Sequence, residues 1–385
     1  MTQKAIRAVF MRGGTSKALI FRAVDLPDSQ AARDQIFLAA LGSPDSNGRQ
    51  LDGMGGGLSS LSKVCIVGPP THPEADVDYT FAQIAIRTPS VDYSGNCGNM
   101  SSAIGPFAVD EGLVEAHDGE AVVRIHNTNT RKILVAHFEV RGGRAVVEGD
   151  FELTGVGRGA PIRLDFLNPA GAATGRLLPT GNAIDQLVTP DGLKVAASMV
   201  DASNPCVFVA ASALGLSGIE MPEELEQRPA LLDQLEALRI GASLRMGIER
   251  TAQEAASKPS IPKIAMLSAP QDSRTLAGEN ISADSVDIVV RMISQEQPHR
   301  AVPLTGAMCL AVAAHIDGGL ARQLARSPRR PNEPVRIAQP SGVTVVDASV
   351  QREKNAYVVN YASVYRTARR LMDGMVYVPA SAIQL

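Results

Sequence analysis

Two residues carry the chemistry that this sequence most plainly offers. Cys97 lies in Ser94-Gly-Asn-Cys-Gly-Asn99, and Lys63 closes the glycine- and serine-rich run Asp52-Gly-Met-Gly-Gly-Gly-Leu-Ser-Ser-Leu-Ser62. A helix is expected from about Cys97 to Glu111, with Gly112 ending it. Helix N-termini present unpaired N–H groups and partial positive charge, which suits carboxylates and makes thiols placed there more acidic. Gly98 would let a substrate approach the backbone closely. The competing reading of Cys97 is a small packed core residue; its glycine- and asparagine-rich setting favours the reactive one. Lys63 is expected at a junction between loop and strand, where partial desolvation would free a neutral amine to act as a general base. The competing reading is a solvated surface lysine. A phosphate-loop reading of Gly55-Gly-Gly57 with Lys63 fails, because G-x-x-x-x-G-K-[ST] is not matched and Val64 stands where the metal-binding hydroxyl belongs.

Weaker candidates surround these two. Arg12, Thr15 and Ser16 could hold a carboxylate through charge-assisted hydrogen bonds, although Arg12 also reads as a surface ion-pair former. Ser62 adjoins Lys63, while Asn96, Gly98 and Asn99 adjoin Cys97, and all four join the candidate binding set. In the second half, His299 and Arg300 precede a helix that opens at Thr305, Gly306 and Ala307. Cys65, Cys206 and Cys309 fall inside apolar segments and read as core. There is no Cys/His spacing suited to zinc, no clustered His, Asp and Glu of metal-ligand spacing, and no G-x-S-x-G elbow. No metal or organic cofactor is expected.

Positioning these residues requires strands and helices in quantity. The spacing predicts strands at Ala5–Phe10, Ala18–Phe21, Val64–Val67 and Asp76–Ile86, and a helix over Ala31–Leu41 between Ser29 and Gly42. An antiparallel sheet is expected over roughly 120–165, then strands at Val195–Val200, Cys206–Ala210, Lys263–Leu267 and Val286–Met292. A long helix is expected over Glu223–Met246 and a short one over Leu304–His315. Cys97-Gly-Asn-Met-Ser-Ser-Ala103 aligns without gaps on Thr305-Gly-Ala-Met-Cys-Leu-Ala311, with Gly, Met and Ala coinciding, so an internal duplication is plausible. Two similar halves would set two helix N-termini across a cleft. At 385 residues the chain suits two domains, read as 1–188 and 189–385, with the last strand free to return to the first.

Composition narrows the function. Hydrophobic residues at 45% and charged residues at 20% are those of a folded globular protein. A net charge of −3 without runs of Lys or Arg argues against nucleic acid as a partner. No membrane-length apolar segment or signal sequence is visible, so a cytoplasmic address is expected.

Met11-Arg-Gly-Gly-Thr-Ser-Lys17, Asp52-Gly-Met-Gly-Gly with Ser62-Lys63, and Ser94-Gly-Asn-Cys-Gly-Asn99 closely resemble the methylaconitate isomerase family of the methylcitrate cycle. The likeness runs almost end to end, through Gly149-Asp-Phe-Glu-Leu153, Phe166-Leu-Asn-Pro169, Pro179-Thr-Gly-Asn182 and Arg245-Met-Gly247. The resemblance implies an α+β fold of the diaminopimelate epimerase type: two similar domains, each a curved, mostly antiparallel sheet or barrel around a central helix, with the active site in the cleft. It implies that Lys63 and Cys97 match the family's catalytic lysine and cysteine. It also implies cofactor-independent cis-trans or allylic isomerisation of a small unsaturated polycarboxylate through a dienolate, in propionate catabolism, by a possible homodimer. The 4-oxalomesaconate tautomerases of the same family are the neighbouring activity, with the methylaconitate branch preferred. An amino-acid epimerase is disfavoured because Leu304-Thr-Gly306 lacks a second thiol and Cys309 lies too far along its helix. A non-catalytic accessory to a dehydratase is the remaining alternative.

Overall fold

Alternating β-branched and aromatic residues at the N-terminus form a hairpin of β1 (Gln3–Gly13) and β2 (Ser16–Arg22), with Gly13 paired to Ser16 across a tight turn. The computed structural model describes residues 2–93, 96–153, 155–189, 192–294, 297–326, 333–354 and 356–382. Ser94 and Gly95, which open the Cys97 segment, lie outside the described residues. The hairpin leads into α1 (Gln30–Leu41), capped by Ser29 and ended by Gly42 in the left-handed conformation. β3 (Lys63–Gly68) lies parallel to β2, and β4 (Val77–Ile84) runs antiparallel to β3. A two-residue strand β5 (Val91–Asp92) pairs with β4 and precedes α2 (Gly98–Asp110). β6 (Gly119–Asn127) returns parallel to β4 and pairs with β7 (Lys132–Arg141), which pairs with β8 (Arg144–Ala145).

The chain passes from its first compact unit to its second within β9 (Ile162–Leu167). The units are Met1–Asp165 with Tyr365–Leu385, and Phe166–Val364. The division therefore falls before the turn clusters at 168–182, not at the expected 188. Those turns belong to the second unit because Asp201 holds them: its Oδ2 accepts from the N–H groups of Ala173 and Thr174 at 2.9 and 2.7 Å.

The second unit opens with β10 (Asp185–Val188), β11 (Lys194–Ala202) and β12 (Asn204–Ala210), antiparallel in turn, with Ser203 at φ 61° in the last hairpin. Three helices follow: α3 (Pro222–Glu226), α4 (Pro229–Met246) and α5 (Ala252–Ser257). The single helix expected over 223–246 is split because Pro229 cannot donate to the preceding turn and starts a new helix instead. α5 went unread, although Thr251 and Glu254 form a capping box at its start. β13 (Lys263–Ser268) lies parallel to β12. A small hairpin, β14 (Ser273–Arg274) with β15 (Asn280–Ile281), precedes β16 (Ile288–Ser294), which is antiparallel to β13. The two-residue β17 (Gln297–Pro298) leads to α6 (Leu304–Ala313) and α7 (Leu320–Leu324). β18 (Val335–Gln339) runs parallel to β16, and β19 (Gly342–Glu353) and β20 (Ala356–Arg366) complete a meander. Finally β21 (Ala368–Pro379) returns to the first unit and pairs along the length of β1.

The period of two in each strand decides which helix each side chain meets. In the first unit Leu19, Phe21, Val64, Ile66, Ala82 and Ile84 pack with Ile36, Phe37 and Leu41 of α1. Ser16, Ile20, Lys63, Cys65, Phe81 and Gln83 therefore face the opposite side, where α2 packs on β1, β2, β3, β6, β7 and β21. Met100, Ile104 and Phe107 are completely buried on α2, each contributing about 1.5–3 kcal/mol from its apolar surface as an upper estimate. A helix enclosed on so many sides is a fixed platform for whatever stands at its N-terminus.

Candidate active site

Cys97 is the N-cap residue of α2, with extended backbone (φ −110°, ψ 99°), and its carbonyl accepts the first intrahelical bond from Ser101 N at 2.9 Å. The Cys97 side chain makes no capping hydrogen bond, and the first-turn amides of Gly98, Asn99 and Met100 are the ones a helix leaves without intrahelical partners. Cys97 is partly exposed, whereas Cys65, Cys206 and Cys309 are buried, as expected of core thiols. Ser16 Oγ stands 4.0 Å from Cys97 Sγ. Asn96 is held from behind: its Oδ1 accepts from Ser101 Oγ and from the buried Asn127 Nδ2, both at 3.4 Å.

The turn between β1 and β2 is pressed onto this helix start. A Cβ on Gly13 would lie 2.6 Å from the Asn99 carbonyl oxygen, and one on Gly14, whose φ is +52°, would lie 2.3 Å from Asn99 Oδ1. Only glycine fits at either place. Asn99 Nδ2 donates to Thr15 Oγ1 at 3.1 Å, and Asn99 Oδ1 accepts from Arg366 Nε at 3.0 Å. Arg12 is committed to the turn itself, donating from Nη1 to the carbonyls of Gly14 and Thr367, each at 2.9 Å. Burial and the neighbouring Arg369 lower the Arg12 guanidinium. Arg12 thus fixes the loop carrying Thr15 and Ser16.

Lys63 opens β3 at only 8% exposure, as a junction lysine and not a solvated one. Its Nζ donates to Gln83 Oε1 at 2.5 Å and lies 5.0 Å from the centre of the Phe81 ring. Gln83 is aimed by two further bonds, from Nε2 to the carbonyls of Ser62 at 2.8 Å and Ser59 at 3.1 Å. Ser62 is completely buried, donating to the Ile84 carbonyl and accepting from Gln50 Nε2, so its hydroxyl is spent inside the fold. Gln50 also accepts from Gly57 N at 3.0 Å; the glycine-rich loop closes on this side chain. Cys65, two residues on from Lys63, senses both candidates: burial and Cys97 push its thiol up, while Tyr79 and Lys63 pull it down.

The structure thus gathers Thr15, Ser16, Asn96, Cys97, Gly98 and Asn99 at the start of α2, with Lys63 on the strand face that α2 covers. Arg366 and Gln83 were not foreseen. Burial drops the Arg366 guanidinium to about 10, with Cys97 opposing the fall. No local signal marks Arg366, since it arrives from the far end of the chain.

The second unit holds its candidates separately. Thr305, Gly306 and Ala307 form the first turn of α6, whose N-cap is Pro303. His299 is partly buried, and burial together with Lys263 lowers its imidazole. Arg300 is exposed and ion-paired with Glu223. Lys263, another residue passed over in the sequence, is itself lowered by burial.

Comparison with known proteins places the chain among isomerases. The crystal structure of a methylitaconate-delta-isomerase superimposes with a TM-score of 0.93 at 42% identity, covering 100% of this chain and 98% of that one. A hydroxyproline epimerase from Agrobacterium vitis shares the fold alone, with a TM-score of 0.50 and 12% identity over 99% and 93% of the two chains. The chain belongs to the PrpF protein family, which it matches over residues 3–379. It is 44% identical to a 3-methylitaconate isomerase of Eubacterium barkeri, covering 98% of each chain. It is 39% identical to a 2-methyl-aconitate isomerase of Cupriavidus necator, covering 99% of this chain and 98% of that one.

Proposed function

We propose that this isomerase moves a proton within a small unsaturated di- or tricarboxylate of the methylitaconate and methylaconitate kind, with Lys63 as base and Cys97 as the proton-donating partner. The observation that carries the reading is the N-terminus of α2, with a thiol at its cap that makes no capping hydrogen bond and a buried lysine on the strand face beneath the helix. The substrate's carboxylate binds the first-turn amides together with Ser16 and Thr15. Lys63, as the neutral amine, removes the allylic proton; the C–H electron pair moves into the conjugated system and forms a dienolate on the carboxylate. The helix amides stabilise that charge as it grows, the preorganised donation that lowers such barriers. Cys97 then delivers its proton to the other end of the allyl system, or to the same carbon after rotation, so that migration and cis-trans isomerisation share one intermediate. The lysine proton returns to the thiolate to complete the cycle.

Proton NMR in deuterated buffer tests this. With 2-methylaconitate or methylitaconate, isomerisation accompanied by deuterium entering the allylic position is expected. If neither acid isomerises nor exchanges, the reading is wrong.

Arg366 sets the angle of Asn99 at the carboxylate site. Arg366→Gln removes a charge-assisted hydrogen bond of about 1.5–3 kcal/mol, so kcat/KM should fall roughly 10- to 100-fold. Arg366→Lys should recover little, because an ammonium cannot reproduce the directed Nε contact. Steady-state kinetics of both variants checks this, and wild-type kcat/KM in Arg366→Gln would remove the residue from the site.

A further inference from the structure

In the first unit, β4 runs past the end of one neighbour before it meets the next. β3 pairs with one edge of β4 throughout. On the other edge, β6 pairs as far as Tyr79↔Asn127, and Thr128 N donates to the Tyr79 carbonyl at 2.9 Å. Pairing with β5 begins only at Gln83↔Asp92. Phe81 falls in the gap, where a strand's N–H and C=O need partners from somewhere else. The side chain of Asn129, in the turn between β6 and β7, takes the place of the missing strand. Its Oδ1 accepts from Phe81 N at 2.7 Å, and its Nδ2 donates to the Phe81 carbonyl at 2.9 Å.

The same amide has two further partners. Nδ2 also donates to the Tyr93 carbonyl at 2.8 Å, and Oδ1 also accepts from Asn127 Nδ2 at 3.3 Å. Two donors and two acceptor positions are all that a primary amide offers. Every one is filled, and the reverse orientation would set the oxygen against two carbonyls. Asn127 is completely buried; its Oδ1 accepts from Thr130 N and Oγ1 at 2.9 and 2.7 Å, and its Nδ2 reaches Asn96 Oδ1 at 3.4 Å. These bonds join the two places that present the chemistry. The Phe81 ring centre lies 5.0 Å from Lys63 Nζ, and Gln83, two residues on, accepts from that amine. Tyr93 follows β5, and Asn96 adjoins Cys97 at the start of α2.

We propose that Asn129 is a positioning residue of the reaction: its amide locks β4, beside Lys63, to the chain segment that enters Cys97, and so fixes the separation of base and acid. This rests on the roles assigned to Lys63 and Cys97. Two groups that exchange protons with one small substrate tolerate little drift, since misplacement by about 1 Å can cost on the order of 100-fold in rate.

Asn129→Asp tests this, because it keeps size, shape and acceptor and removes both donors. Its kcat should fall roughly 10- to 100-fold, with KM within about threefold of wild type. Hydrogen–deuterium exchange of the substrate-free protein should quicken over 79–84 and 96–102 and stay unchanged over α1. Acidification should raise its activity relative to wild type at the same pH, since the protonated carboxyl regains a donor. Asn129→Ala removes the amide without adding charge and should show the same loss if the carboxylate hinders folding. Ile36→Val trims the core on the other face of the sheet, so it should lower the melting temperature and leave kcat as it was. Wild-type kcat in Asn129→Asp would overturn the proposal, as would unchanged exchange in both segments. An equal loss of kcat in Ile36→Val would do the same, by making the effect one of stability. Should Lys63→Ala and Cys97→Ala stay fully active, the assigned roles fall, and the exchange measurement alone still decides whether Asn129 clamps the two segments.

Discussion

Lys63→Ala should lower kcat by about 10³-fold or more, the upper range for losing a general base, and should abolish deuterium entry from solvent. The magnitude follows from the setting. The amine sits at a strand start with 8% exposure, directed by Gln83, whose own amide is fixed to two backbone carbonyls. Water is poorly placed to substitute for it. Lys63→Arg should be as inactive, because guanidinium keeps the charge but does not surrender a proton. The fold should survive, since the loss is one side-chain hydrogen bond of about 1–3 kcal/mol against a typical total of 5–15 kcal/mol. Thermal unfolding and single-turnover kinetics on the same preparation separate the two effects. A Lys63→Ala enzyme that still washes deuterium into substrate would assign the base elsewhere.

The second large effect is expected at Cys97. Cys97→Ala should reduce kcat by roughly 10²- to 10³-fold, within the range for a missing general acid, and leave KM nearly unchanged. The split follows from what alanine removes. The first-turn amides of α2 remain available to a carboxylate, so ground-state binding persists, while the proton donor is lost. Cys97→Ser should fall between wild type and alanine, keeping a donor that is far less acidic than a thiol. Kinetics with deuterated substrate would show exchange at the Lys63 side continuing after product formation has slowed. If Cys97→Ala keeps kcat within about threefold of wild type, the thiol belongs to packing and not to chemistry.

Much of this site was legible because its parts lie close in sequence. Gly112 after the expected helix, Ser29 before α1 and the glycine pair at 13–14 are local signals, and each marks the boundary or turn that the structure contains. The buried position of Lys63 was harder to read, since it depends on β4 lying beside β3 and supplying Phe81 and Gln83. Arg366 was invisible because its contact with Asn99 spans most of the chain. The displaced unit boundary has a similar cause: turn-rich composition at 168–182 looks like a linker, and only the partnership with Asp201 makes it part of a fold. Arg300 adjoins α6 in sequence, and its side chain pairs with Glu223, a partner far away in the chain that no local pattern announces.

The pairing of β1 with β21 joins the first strand of the chain to the last, and Ala380 N donates to the Thr2 carbonyl at 3.0 Å. During synthesis, therefore, β1 waits with one edge unpaired until β21 has been made. The second unit is continuous in sequence and can assemble while that wait lasts. The helix α2, which packs on both β1 and β21, is among the earlier parts made and among the last to be fully enclosed. Residues 2 and 380 thus lie side by side, where a circular permutation joining them asks for no long bridge.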